Sequence, residues 1–183
     1  MNKIILAIVG LVGAGKTEIT EYVMKKTGWP KVYFGDATFD EMKKEGLEIN
    51  EVNERKTREG IRAKFGMGGY AILNIPRVKG FFKNSSVVVE SLYSWEEYLE
   101  MKKEFGDVFK VLAVFASPDI RAERMANRSY RPLTKEEFFS RDYAQIENSH
   151  QAGPVARADF MVLNEGTLEE LHKQIDEIIS KLS

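Results

Sequence analysis

Short apolar runs alternate with segments whose apolar residues recur at helical spacing along almost the whole chain. Residues 3–9, 31–34, 86–90, 108–116 and 159–163 read as strands, each short and apolar on consecutive positions. Consecutive rather than alternating apolar positions mark strands buried on both faces, as in a parallel sheet covered by helices. The intervening segments 18–26, 38–46, 50–65, 70–82, 94–105, 118–128, 134–149 and 167–182 read as helices. Several carry start signals. Thr38 with Glu41, Ser94 with Glu97, Thr134 with Glu137 and Thr167 with Glu170 have capping-box spacing, and Ser117 precedes a proline at the first helical position. Gly66, Gly68 and Gly69 break the long helical stretch in the middle, and Pro76 is carried inside the helix that follows. The alternation predicts an α/β fold with a five-stranded parallel sheet.

Composition narrows the class. At 183 residues, with 43% hydrophobic and 30% charged residues, the chain reads as one globular domain without linker or low-complexity segment. The net charge of −1 argues against general affinity for nucleic acid or anionic membranes, so any positive field must be local. Cys is absent, which removes disulfides, thiol catalysis and cysteine-ligated metals, and two His are too few for a histidine-rich metal site. Lys3 and the apolar stretch 4–14 have the outline of a signal peptide, but that outline does not account for the glycines or Lys16. No other apolar run approaches the ~20 residues that cross a bilayer, and a cytoplasmic location is expected.

The strongest chemical signal is Gly10-Leu11-Val12-Gly13-Ala14-Gly15-Lys16-Thr17, which fits G-x-x-x-x-G-K-[ST] between a strand and a helix. A strand turning through glycines into a helix aims several N–H groups and the positive end of the helix dipole at one point, where phosphate binds. Gly10, Val12, Gly13, Ala14, Gly15, Lys16, Thr17 and Glu18 are therefore expected at an ATP site, with Lys16 on the β- and γ-phosphates and the Thr17 hydroxyl on Mg²⁺. Arg121, Arg124 and Arg128 share one helix face, Arg131 follows in a loop and Arg141 lies one helix later. Guanidinium forks neutralise a transferring phosphoryl group, and Arg124 and Arg128 are expected to act so. Arg121, Arg131 and Arg141 fit a phosphate site and a paired surface role equally well. Asp36 and Glu90 fall at strand C-termini, where open parallel sheets bind ligands, and either could hold Mg²⁺ or orient an acceptor. Glu90, after three valines, needs a ligand or a partner. Arg62 is the leading acceptor-binding candidate, and Asn164 and Gly166 face the same rim as the nucleotide.

The phosphate loop, with Gly35-Asp36, the run from Arg62 to Gly66, Ala116-Ser117-Pro118 with Arg121 and Arg124, Arg141-Asp142 and Asn164-Glu165-Gly166-Thr167, resembles archaeal P-loop nucleotide kinases. That family is described as adenylate-kinase-related and similar to dephospho-CoA kinase, and the likeness spans nearly the whole chain. It implies a P-loop kinase-like three-layer sandwich, a small helical acceptor-binding region at about 36–84 and an arginine-bearing lid at about 128–150. It also implies ATP and Mg²⁺, and acceptor contacts from Asp36, Arg62, Arg131 and Arg141. Two departures fall on the acceptor side: Phe39 and Tyr93 stand where arginines are usual. The expected activity is transfer of the ATP γ-phosphoryl group to a nucleotide-like acceptor, AMP foremost. The alternatives are a dephospho-CoA kinase, in which Asp36 or Glu90 would act as base, and a non-catalytic nucleotide-binding regulator.

Overall fold

The computed structural model describes residues 3–182, and its centre is a parallel sheet of order β2-β3-β1-β4-β5. The strands are β1 (Ile5–Val9), β2 (Lys31–Tyr33), β3 (Val87–Glu90), β4 (Phe109–Phe115) and β5 (Phe160–Leu163). Every residue of β1 is buried, as its unbroken apolar run demands. All five strands point the same way, so Val9, Tyr33, Glu90, Phe115 and Leu163 end at one rim.

Alternate strand residues feed two cores. Ile5, Ala7, Val87, Val89, Val111 and Ala113 face one side, covered by α3 (Glu51–Phe65), α4 (Gly69–Phe82) and α5 (Trp95–Phe105) through Ile61, Ala71, Val78 and Met101. Leu6, Ile8, Val88, Leu112 and Val114 face the other, covered by α1 (Lys16–Thr27) and α9 (Leu168–Leu182) through Ile19, Val23, Leu171 and Ile175. Each Val, Leu, Ile or Met side chain among these contributes about 1.5–3 kcal/mol on leaving water, so the sandwich is closed on both faces by its own sequence pattern. A third, small cluster of Val12, Met125 and Phe138 packs α6 (Pro118–Asn127) and α7 (Lys135–Glu147) over the turn that follows β1. This cluster positions the site.

Two expectations need correction. The helix expected from Thr38 is α2 (Asp36–Lys44), which begins at Asp36 with Gly35 as its cap residue. Thr38 is buried inside it and shares a 2.8 Å hydroxyl–hydroxyl hydrogen bond with Tyr70, so it caps nothing. The helix expected to reach residue 149 stops at Glu147, His150 takes φ 52°, and a further short helix, α8 (Ala152–Ala156), follows. Its Gly-Pro pair hid it, since neither residue has helical propensity in isolation. The boxes at Ser94 and Thr134 form as read, with Glu97 and Glu137 closing them.

Candidate functional site

The chain leaves β1 and turns into α1 through three glycines of positive φ: 149° at Gly10, 78° at Gly13 and 99° at Gly15. A Cβ on Gly10 would lie 2.5 Å from the Val114 carbonyl oxygen, and one on Gly15 would lie 2.2 Å from Asn164 Nδ2. Backbone freedom and close approach both require glycine there. Gly15 caps α1 without a side-chain bond, so the first-turn N–H groups open towards the cleft. Lys16 Nζ donates to the carbonyls of Gly10 (2.8 Å) and Leu11 (3.1 Å). Burial, reinforced by the nearby Arg141 and Arg121 charges and opposed by Glu90, lowers the Lys16 pKa to about 8. A bound anion would offset that cost.

A cleft of about 380 Å³ opens over this turn, lined by Lys16, Thr17, Glu90, Arg128, Arg141 and Gln145 among others. Three cations against one carboxylate make it the local positive field that the near-zero net charge required. Glu90 has its partner: Lys31 Nζ lies 2.6 Å from Oε2. Thr17 is exposed, with its hydroxyl free for a ligand among the described residues. Gln145 Oε1 accepts from the Val12 N–H at 2.8 Å, and Gln151 Nε2 donates to Gly10 O at 2.9 Å. Neither glutamine belongs to a recognisable motif, because both act across long chain separations.

The arginines divide by burial. Arg121 is 4% exposed and pairs with Asp142 through Nη1–Oδ1 (2.5 Å) and Nη2–Oδ2 (3.0 Å), while Nε and Nη1 also donate to Ala116 O and Val12 O. It bolts α6, α7 and the phosphate turn together. Arg124 Nη2 lies 3.4 Å from Asn164 Oδ1, and its Nη1 is buried with no partner among the described residues. Asn164 Nδ2 donates to Ala14 O at 2.8 Å, so the loop after β5 is tied to the turn. Arg128 donates through Nε to Arg131 O, and Arg131 points over Tyr130 in an exposed loop. Arg141, expected with the acceptor, lines the same cleft as Lys16 instead.

A second cleft, about 150 Å³, lies beside the first and is lined by Tyr33, Phe39, Arg58, Arg62, Tyr70 and Glu97 among others. Ser91 and Tyr93 line both, so the two clefts meet there. Ser91 holds φ 66°, a strained value for serine, at that junction. The two departures noted in the sequence, Phe39 and Tyr93, are both walls of this second cleft. Arg58 is held by Glu51 and Glu54, whereas Arg62 makes no side-chain hydrogen bond among the described residues. Other candidates lie elsewhere. Asp36 faces Arg77 Nη1 at 3.4 Å and lines neither cleft, and Glu18 Oε1 lies 3.1 Å from His172 Nε2. Gly166 sits in the loop between β5 and α9.

A parallel sheet with an uncapped glycine turn at its rim, roofed by arginines, defines a P-loop kinase-like α/β protein. The fold agrees with solved kinases. A gluconokinase from Sinorhizobium meliloti superposes at TM-score 0.60 with 15% identity, covering 98% of this chain and 93% of that one. A shikimate kinase from Bacteroides thetaiotaomicron superposes at 0.62 with 12% identity, covering 98% of each. Residues 6–150 match the AAA domain family, to which the chain belongs. The chain is also a UPF0200 protein: it is 35% identical over 182 residues to one from Pyrococcus abyssi, covering 97% of this chain and 96% of the relative. Among the described residues no helix is long and apolar enough to cross a membrane.

Proposed function

We propose that this protein transfers the γ-phosphoryl group of ATP to the phosphate of a nucleotide-like acceptor, with AMP as the first acceptor to test. The observation that carries the reading is the meeting of a cationic phosphate cleft and an aromatic, arginine-bearing cleft at Ser91 and Tyr93. Lys16 and the turn amides would bind the donor phosphates, and Arg124 with Asn164 would meet the nucleoside end. The unpartnered Arg124 Nη1 supports that assignment, since a buried guanidinium N–H without an acceptor is costly. Thr17 and Glu90 would hold Mg²⁺, which would supply charge neutralisation for the transferring phosphoryl group. An acceptor phosphate oxygen forms the new bond to the γ-phosphorus. The bond to the βγ-bridging oxygen breaks, its electron pair leaves with ADP, and Arg128 and Arg141 offset the charge.

Such an oxyanion needs no general base. A dephospho-CoA kinase would need one for a ribose hydroxyl, yet Asp36 faces Arg77 and lines neither cleft, and Glu90 is the residue assigned above to Mg²⁺. That distribution favours a phosphate acceptor. Residues 128–150 are proposed as the lid and residues 36–84 as the acceptor-binding region. In a chromatographic assay with Mg²⁺-ATP, ADP should form only when a nucleoside monophosphate is present, and Lys16→Ala should abolish it. ADP formation indifferent to every acceptor would overturn the reading.

A further inference from the structure

Among the described residues three helices begin with a Ser or Thr whose hydroxyl is answered by a glutamate three residues on: Ser94/Glu97, Thr134/Glu137 and Thr167/Glu170. Glu137 and Glu170 sit in solvent, which is where a capping carboxylate does its work without a desolvation cost. Glu97 does not. It is 4% exposed and lines the aromatic cleft. Its Oε2 accepts from both the Tyr93 N–H (2.6 Å) and the Ser94 N–H (3.1 Å), so one oxygen performs the whole cap. No donor among the described residues reaches Oε1. Capping explains the glutamate, but it does not explain a buried glutamate with a free oxygen at the wall of a cleft.

We propose that Glu97 reads the acceptor's base: Oε1 accepts a hydrogen bond from an exocyclic amine, so the cleft takes amino-bearing nucleotides and rejects their oxo counterparts. This rests on the nucleotide-acceptor reading above. The shape of the cleft agrees. Tyr33, Phe39, Tyr70 and Tyr93 give flat apolar walls suited to stacking a base. The acceptor phosphate is proposed to reach the donor cleft past Ser91 and Tyr93, with the base against the aromatic walls and the Oε1 edge of Glu97. An ionised carboxylate only accepts hydrogen bonds, so an amine completes it, whereas a carbonyl would set oxygen against oxygen. Burial lifts the Glu97 pKa to about 7, against the pull of the two backbone N–H groups and of the Arg62 charge in the same cleft.

Calorimetric titration at pH 8.5, where the carboxylate is charged, tests this with AMP, IMP, CMP and UMP, with and without a non-hydrolysable ATP analogue filling the donor cleft. AMP over IMP, and CMP over UMP, should each be preferred roughly 10–100-fold, the range for losing one hydrogen bond to a charged group. Glu97→Gln keeps the cap, because glutamine serves in the same box, but offers an NH₂ at the free position. It should reverse the order within each pair. Equal affinities within both pairs of the native protein, tighter IMP, or no nucleotide binding would overturn the inference, whether or not the variant folds. An equal loss for all four nucleotides in Glu97→Gln would also overturn it. The two readings fail separately: amine-selective binding without phosphoryl transfer removes the enzyme reading alone, and transfer to AMP and IMP alike removes this one alone.

Discussion

Asp142→Ala isolates the ion pair that holds the roof of the phosphate cleft. Arg121 and Asp142 meet through two parallel hydrogen bonds and are almost wholly buried. Without Asp142 the guanidinium keeps the carbonyls of Ala116 and Val12, at 2.9 and 3.2 Å, and the face of the Phe138 ring, but its charge stays out of water without an anion. Removing one partner of such a pair costs about 3–5 kcal/mol, a large share of the ~5–15 kcal/mol that stabilises an ordinary domain. Urea unfolding with linear extrapolation should therefore show a midpoint much lower at unchanged slope. The double variant Arg121→Met/Asp142→Leu should recover most of the loss, because an apolar pair of similar volume carries no buried charge. Measured against the single variants Arg121→Met and Asp142→Leu, the coupling between the two positions should then exceed about 2 kcal/mol, near the upper range for residues sharing one network. A single-variant loss under 1 kcal/mol, or additive losses, would show that water reaches the pair and that the roof is not locked by it.

Gly15→Ala should lower stability by about 1–2 kcal/mol from left-handed backbone strain alone, and should displace Asn164, whose Nδ2 lies 2.2 Å from the added carbon. Thermal unfolding and ATP titration would register both losses. Arg124→Leu removes a buried, unpartnered N–H, so the free protein should lose little stability while ATP-dependent thermal stabilisation falls at least tenfold in apparent affinity. Unchanged ATP stabilisation would return Arg124 to a structural role. Glu97 gives a pH signature. Its folded pKa is raised to about 7 from the usual 4.5, so its contribution is complete below about pH 4.5 and is lost as pH rises through 7. The span is ~3 kcal/mol at most, and Glu97→Gln should remove that slope in denaturation measured between pH 5 and pH 8.

Much of the fold was legible because its signals are local. The five apolar runs became the five strands, and the glycine spacing of residues 10–17 identified the phosphate turn. The capping boxes at Ser94 and Thr134 also formed as read. The box expected at Thr38 failed, since a threonine three residues before a glutamate looks the same whether it begins a helix or is buried within one. Its real partner, Tyr70, is thirty-two residues away.

By itself, then, the order of residues determined the sheet, the helices that cover it and the glycine turn at its rim, since these follow from periodicity and from backbone freedom at particular glycines. Tertiary structure alone decided which charged side chains are left open to a cleft and which face one another. Arg121 and Arg124 stand three residues apart on one helix, yet the first is sealed by Asp142 and the second keeps an unpartnered N–H beside Asn164. Glu97 and Glu137 occupy the same capping position, yet only Glu97 is buried against a cleft. Desolvation and pairing are properties of neighbours in space, and for these residues the neighbours come from distant elements.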